Sequence, residues 1–146
     1  MLTITLIIGV LVGLLLAEIT GITAGAIIAP GYIALLLDQP KALLGVIAAV
    51  IGTHVIVSVL APWLSLYGTR RLTISILVGL ILATGIGYLR SELVSETLIW
   101  AGLGYIVPGL IAHQWYRQGF WPTMLMLAIA ASITRALAIL TMAVLR

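Results

Sequence analysis

The chain carries the same proline-glycine pattern twice, inside segments that are otherwise apolar. The two copies are IAPGYIA at residues 28–34 and IVPGLIA at residues 106–112, which match at five of seven positions and lie seventy-eight residues apart. Proline and glycine inside a helix cost about 3 and 1 kcal/mol relative to alanine. Two such interruptions at equivalent places favour a duplicated unit with two discontinuous helices at its centre.

Composition places this unit in a membrane. Of the 146 residues, 63% are hydrophobic and only 8% are charged, whereas soluble domains carry about a quarter charged residues. The apolar runs are rich in Leu, Ile, Ala and Val without long alternation, so helices rather than strands should cross the bilayer. At about 20 residues a span, the length allows five or six crossings. The absence of cysteine excludes disulfides and thiolate chemistry.

We therefore predict a single all-α membrane domain, residues 1–146, of five to six short transmembrane helices in two repeats, 1–69 and 70–146. The predicted spans cover residues 2–17, 42–64, 72–89 and 122–145, and the Pro-Gly segments cover 24–37 and 98–115. Three crossings in each repeat would invert the second half relative to the first, the plan of many transporters. If the Pro-Gly segments are re-entrant instead, the halves are parallel and the chain crosses four times.

Charged residues give an orientation and one candidate site. Arg70 and Arg71 form the densest basic pair, so we expect the central turn to be cytoplasmic and both termini to lie outside. Arg135 lies within the sixth span, where an unpaired charge costs at least about 3 kcal/mol. It could bind an anion or pair with Glu18 or Glu96; the alternative is an interfacial arginine in a shorter helix.

Other polar residues lie near membrane boundaries. Glu18 and Glu96 each precede a Pro-Gly proline by twelve residues and could cap the next helix, bind a cation or meet a basic group. His54 and His113 could relay protons, but hydrogen bonding between helices is the simpler interpretation. No metal-ligand spacing, nucleotide loop or catalytic set is present, so we predict no catalytic residue, metal or cofactor.

The segments together resemble the PgsC/CapC family, the small membrane subunit of bacterial poly-γ-glutamate (capsule) synthase. The matching residues extend over essentially the whole chain: Ala17-Glu18-x-Thr20-Gly21-Ile22, Pro30-Gly31-Tyr32, Gln39-Pro40, Leu66-Tyr67-Gly68-x-Arg70, the second Pro-Gly motif with Pro108 and Gly109, and Gln118-Gly119. Arg135, His54 and His113 belong to none of these motifs. The resemblance supplies no catalytic residues.

The resemblance implies a multi-pass subunit of the cell membrane that takes part in capsule biogenesis. Its expected partners are a cytosolic or membrane-associated ATP-dependent amide ligase, a further membrane-anchored synthase subunit and the lipid bilayer, in a homo- or hetero-oligomer without nucleic acid. The subunit would anchor the ligase and assist outward passage of the polymer. Each polymer unit keeps a free carboxylate, which cannot cross hydrocarbon bare. Arg135, Arg70, Arg71 and helix N-termini near Gly31 and Gly109 are the predicted anion-binding groups.

Two other functions remain open from the residues. A self-sufficient small anion or ion transporter fits inverted repeats with broken helices equally well. An intramembrane enzyme using Glu18, Glu96 or the histidines is the third and least supported alternative.

Overall fold

The structure is a computed structural model that describes residues 2–89 and 98–145. Within these ranges the regular structure is entirely helical. The six helices are α1 Leu2–Thr20, α2 Ala29–Leu36, α3 Pro40–Leu64, α4 Thr69–Leu89, α5 Leu98–Gln118 and α6 Phe120–Val144. By length and composition, α1, α3, α4 and α6 are long and apolar enough to span a membrane. The prediction of an all-α membrane protein is confirmed. The four long helices lie close to the predicted spans, whereas α2 begins five residues after the predicted start of the first Pro-Gly segment.

The polar side chains within these helices are largely satisfied by their own helix. The hydroxyls of Thr53 and Thr134, both buried, donate to the carbonyl oxygens of Ala49 and Ala130 at 2.7 Å. A threonine hydroxyl that bonds to the carbonyl four residues earlier keeps its polarity inside the segment. The sequence can therefore place threonines along apolar spans without exposing a donor to lipid.

The first Pro-Gly interrupts the helical structure, as predicted. Residues 21–28 are irregular, with positive φ angles at Gly21, Gly25 and Ala26, and α2 begins next to Pro30. Proline suits the first turn of a helix because its missing N–H would have no partner there. With eight residues, α2 is about 12 Å long, less than half of the roughly 30 Å hydrocarbon core.

The second Pro-Gly does not interrupt its helix, so the predicted break at that site is wrong. Helix α5 continues from Leu98 to Gln118 with Pro108 and Gly109 inside it. A proline removes only one backbone hydrogen bond, and neighbouring helices often compensate for it in membranes. Here Pro108, Gly109 and the flanking Val107 are fully packed between other helices.

In the first half, the chain after α1 runs back along α1. A Cβ added at Gly13 would lie 3.2 Å from the Ile27 oxygen and 3.3 Å from the Pro30 ring, and one added at Gly9 would lie 2.5 Å from the Gly31 nitrogen. The segment that follows α1 is therefore antiparallel to α1. After the turn at 37–39, α3 runs in the direction of α1.

In the second half of the chain, α4 runs opposite to α1 and α5 runs opposite to α2. The turn at 65–68 joins α3 to an antiparallel α4, which α5 then packs against. A Cβ at Gly79 of α4 would lie 2.6 Å from the nitrogen of Gly109, the counterpart of the contact between Gly9 and Gly31. Helix α4 is therefore antiparallel to α1.

Contacts between helices also pair across the halves. In the first half, α1 packs on α2, and both α1 and α2 pack on α6. In the second half, α4 packs on α5, and both α4 and α5 pack on α3. The main core lies where α2, α3, α5 and α6 meet, and includes Ile33, Val50, Val107, Ile111 and Leu127. The two Pro-Gly segments are thus at the centre of the bundle.

The bundle has two ends. Gln118 contacts Thr23, just after α1, and Arg71 contacts Tyr116. The end of α1, the 65–68 turn, the end of α5 and the start of α6 therefore lie together. We call this the central-turn end. The 37–39 turn and the outer ends of α1 and α6, at Leu2 and Val144, lie opposite; we call this the termini end.

Candidate functional site

Arg135 is held near the termini end by two acceptors. Its Nη1 donates to the carbonyl oxygen of Ala34 in α2 at 3.2 Å, and its Nη2 donates to Asp38 in an ion pair. The side chains of Arg135 and Asp38 are 32% and 68% exposed. The hydrogen bond from Arg135 holds the pKa of the Asp38 carboxyl below its usual value. These contacts of Arg135 link the C-terminal end of α2 to α6.

The acidic partner of Arg135 is therefore Asp38 and not Glu18, one of the two predicted partners. Glu18 lies exposed in the last turn of α1, at the opposite end of the bundle, because α1 and α6 are antiparallel. Glu96, the other predicted partner, lies outside the described residues. The charge of Arg135 is therefore already paired with Asp38, and anion binding by Arg135 stays a prediction.

At the central-turn end, the basic pair divides into an exposed and a buried arginine. Arg70 is exposed, whereas Arg71 is only 6% exposed and its guanidinium lies 3.3 Å from the centroid of the Tyr116 ring. The Nε of Arg71 is buried and has no hydrogen-bond partner among the described residues. A cation over an aromatic face is stabilised, but the ring accepts no in-plane hydrogen bond from Nε.

His113 and Arg117 lie beside this arginine. They are one turn apart on α5, on the face that also presents Tyr116, and both arginines are close enough to act electrostatically on His113. The Nδ1 of His113 is buried without a hydrogen-bond partner. Neither Arg71 nor Arg117 is ion-paired with a described residue. Three basic side chains therefore lie near one another. Two of their buried nitrogen atoms, Arg71 Nε and His113 Nδ1, have no hydrogen-bond partner among the described residues.

The second histidine has a different environment. His54 of α3 stacks on Trp115, with ring centroids 4.8 Å apart and planes 12° apart, and Trp115 also contacts Phe120. This stacking joins α3, α5 and α6 at the central-turn end. Over residues 2–89 and 98–145, no group of three or more His, Cys, Asp or Glu side chains could hold a metal ion.

The glycines of the two Pro-Gly motifs allow neighbouring helices to pack closely. Gly109 lies inside α5, where a Cβ would be 2.5 Å from the Ser75 oxygen of α4, and Gly31 faces the backbone of Leu6 in α1. The predicted helix N-terminus near Gly109 is absent, since α5 begins at Leu98. Anion binding at Gly31 and Gly109 stays a prediction. Buried Tyr32 packs in the main core.

The remaining predicted residues shape the turn after α1. The Thr20 hydroxyl donates to the Leu16 oxygen at 2.6 Å and accepts from the Ile22 N–H at 3.2 Å. Gly21, with φ of 69°, follows as a left-handed residue at the helix end. The Gln118 side-chain amide lies 2.5 Å from the Thr23 hydroxyl and links the irregular segment to the C-terminal end of α5.

Sequence reasoning missed two features of these sites. Asp38 could not be matched with Arg135, which is ninety-seven residues away. The burial of Arg71 had a usable signal, because Arg71, Ser75 and Gly79 recur every four residues and form the buried face of α4.

Comparison with known proteins gives one consistent result. A family model described as "Capsule biosynthesis CapC" matches residues 8–124. The chain is 38% identical over 117 residues to "PGA biosynthesis protein CapC" of Bacillus subtilis (strain 168), and 37% identical over 117 residues to "Capsule biosynthesis protein CapC" of Bacillus anthracis. Each match covers 80% of this chain and 78% of the relative. No solved structure matches.

Proposed function

The chain belongs to the CapC family of capsule biosynthesis proteins, and from this membership we propose that it is the integral-membrane subunit of a poly-γ-glutamate synthase complex. In this proposal it has no catalytic role of its own. It anchors an ATP-dependent amide ligase at the cell membrane and assists the outward passage of the polymer. A further membrane-anchored subunit completes the complex.

The observation that carries the proposal is the extent of the family match. Residues 8–124 include both Pro-Gly motifs, the contacts of Gly9 with Gly31 and of Gly79 with Gly109, and the Gln118 contact with Thr23. The matched residues therefore include α2 to α5 and the contacts between them. The match supports a function in capsule biosynthesis for this membrane domain.

We further propose that residues 1–69 and 70–146 are inverted repeats. This is supported by the opposite directions of α1 and α4 and by the paired helix contacts of the two halves. In transporters with such repeats, the path for the cargo lies where the repeats meet. A bundle of six helices is thin, so a polymer-wide path would lie between copies or between this chain and a partner subunit.

The central-turn end is the proposed docking side for the ligase. The exposed residues Arg70 and Arg117 lie there with the buried Arg71, and positive residues favour the cytoplasmic side. A ligase that releases a polyanion at this end would deliver its product to a basic surface. Electrostatic attraction would then raise the local concentration of the product.

Affinity purification of the tagged chain from its native membrane tests the proposal. We expect an ATP-dependent ligase to co-purify with the wild-type chain and with Gln39→Glu, a charge change at the termini end. We expect the double variant Arg70→Glu/Arg117→Glu to retain much less ligase. Recovery of a normally folded wild-type chain without any ligase, in mild detergent and after cross-linking, would contradict the proposal.

The competing function is a self-sufficient anion transporter. It would rest on the same antiparallel halves, and the purified chain in liposomes separates the two. Flux of glutamate or another small anion without partner subunits would favour the transporter. We expect no such flux, because in our proposal the path is completed only by other chains.

A further inference from the structure

Arg71 combines a buried charge with an unused donor. It is 6% exposed, and its Nε has no hydrogen-bond partner among the described residues. Buried charges in proteins are normally paired and hydrogen-bonded. The Tyr116 ring orients the guanidinium by contact with its face, which leaves the N–H groups in the guanidinium plane for another acceptor.

The two groups near Arg71, His113 and Arg117, are both basic. His113, with its buried and unpartnered Nδ1, lies within electrostatic range of both Arg71 and Arg117. Like charges repel, and neither arginine is ion-paired with a described carboxylate. Such an arrangement becomes favourable when an anion lies between the basic groups and accepts their hydrogen bonds.

We propose that Arg71 and His113 form a binding site for a carboxylate, with Tyr116 positioning Arg71. Resting on the proposed function, the ligand is a free carboxylate of the glutamate polymer, received at the central-turn end. Arg71 is the third residue of α4 and Arg117 the penultimate residue of α5. Both arginines therefore lie within one helical turn of the helix ends at the central-turn end.

A phosphate of a lipid headgroup offers similar oxygen acceptors, so the experiment separates the two sources. The purified full-length chain is placed in nanodiscs of neutral phosphatidylcholine, and in matched nanodiscs that contain phosphatidylglycerol. Histidine is labelled with ¹⁵N; the chain contains only His54 and His113, and a His54→Gln variant assigns the two signals. Oligo-γ-glutamate is then titrated, with oligo-γ-glutamine as the uncharged control.

The expected result is a saturable shift of the His113 signal with oligo-γ-glutamate in neutral nanodiscs, and little change at His54. Arg71→Gln should weaken this binding about tenfold or more, the factor expected for one charge-assisted hydrogen bond. Arg71→Lys keeps the positive charge and should bind with intermediate affinity. Such binding would show that the weaker binding of Arg71→Gln is not caused by loss of folding. The matched control is Arg70→Gln, which removes the same charge one residue away and should change affinity much less.

Three results would overturn the site. The first is no shift of His113 with any oligomer, and the second is equal weakening by Arg70→Gln and Arg71→Gln, which would indicate diffuse attraction. The third is a shift produced by phosphatidylglycerol that oligo-γ-glutamate does not extend, which would assign the site to lipid. Since binding is measured without the ligase, a failure here leaves the co-purification result for the proposed function unaffected.

Discussion

Gly79 of α4 faces Gly109 of α5 so closely that a Cβ at Gly79 would lie 2.6 Å from the Gly109 nitrogen. Gly9 and Gly31 have the same relationship in the first half, at 2.5 Å. Each first helix of a half thus meets the glycine of a Pro-Gly motif backbone to backbone. Small residues allow this approach between membrane helices, which explains why glycine follows proline in both copies.

The first prediction concerns this contact. Gly79→Ala should destabilise the chain by about 1–3 kcal/mol, because the added methyl group overpacks a backbone contact that cannot yield. The matched control is Gly85→Ala in the same helix, where a Cβ would meet nothing within 4 Å; it should cause no loss. Thermal unfolding in detergent measures both variants. Equal stability of the two variants would contradict the close contact.

The second prediction concerns Arg135. Arg135→Leu should lower thermal stability more than Asp38→Asn, because it also removes the hydrogen bond to the Ala34 oxygen. Since Arg135 lowers the pKa of Asp38 in the folded state, the pair stabilises fully above the usual value of 3.8 and loses its effect as pH falls through the lowered pKa. The difference between wild type and Asp38→Asn should therefore vanish at low pH. A difference that persists in strong acid would contradict the ion pair.

The third prediction concerns the irregular segment 21–28. Gln118→Ala removes its contact with Thr23, a hydrogen bond worth about 1 kcal/mol, so local amide exchange in this segment should accelerate about fivefold. Ser132→Ala is the control, because the Ser132 hydroxyl bonds only to its own helix, at the Ala128 oxygen. Exchange by mass spectrometry reports on both. Unchanged exchange in Gln118→Ala would show that other contacts hold the segment.

The helices were predictable because hydropathy alone separates span from turn in this chain. The difference between Pro30, which lies at the start of a helix, and Pro108, which lies inside one, could not be predicted, because the two seven-residue motifs are nearly the same. The difference lies upstream, where Gly21, Gly25 and Ala26 adopt positive φ angles before Pro30, whereas helix α5 is already formed before Pro108. The backbone before the motif, and not the motif itself, therefore separates a proline that starts a helix from one that lies within it.

A single shift along the sequence does not align both glycine contacts of the two halves. Gly31 and Gly109 are seventy-eight residues apart, but Gly9 and Gly79 are only seventy apart. The second half therefore has eight more residues between its paired glycines. When α1 and α4 are aligned on Gly9 and Gly79, Glu18 aligns with Tyr88, whereas alignment on the two prolines pairs it with Glu96.

The orientation of the halves is the central claim, and single-cysteine labelling tests it most directly. The chain has no native cysteine, and Glu18, Gln39 and Tyr67 are all exposed. Glu18→Cys, Gln39→Cys and Tyr67→Cys can be challenged in intact cells with an impermeant maleimide. We expect Gln39→Cys to react from outside, and Glu18→Cys and Tyr67→Cys to react only after the cells are opened. Reaction of Glu18→Cys and Gln39→Cys from the same side would mean that the first Pro-Gly segment re-enters, and would contradict the inverted arrangement.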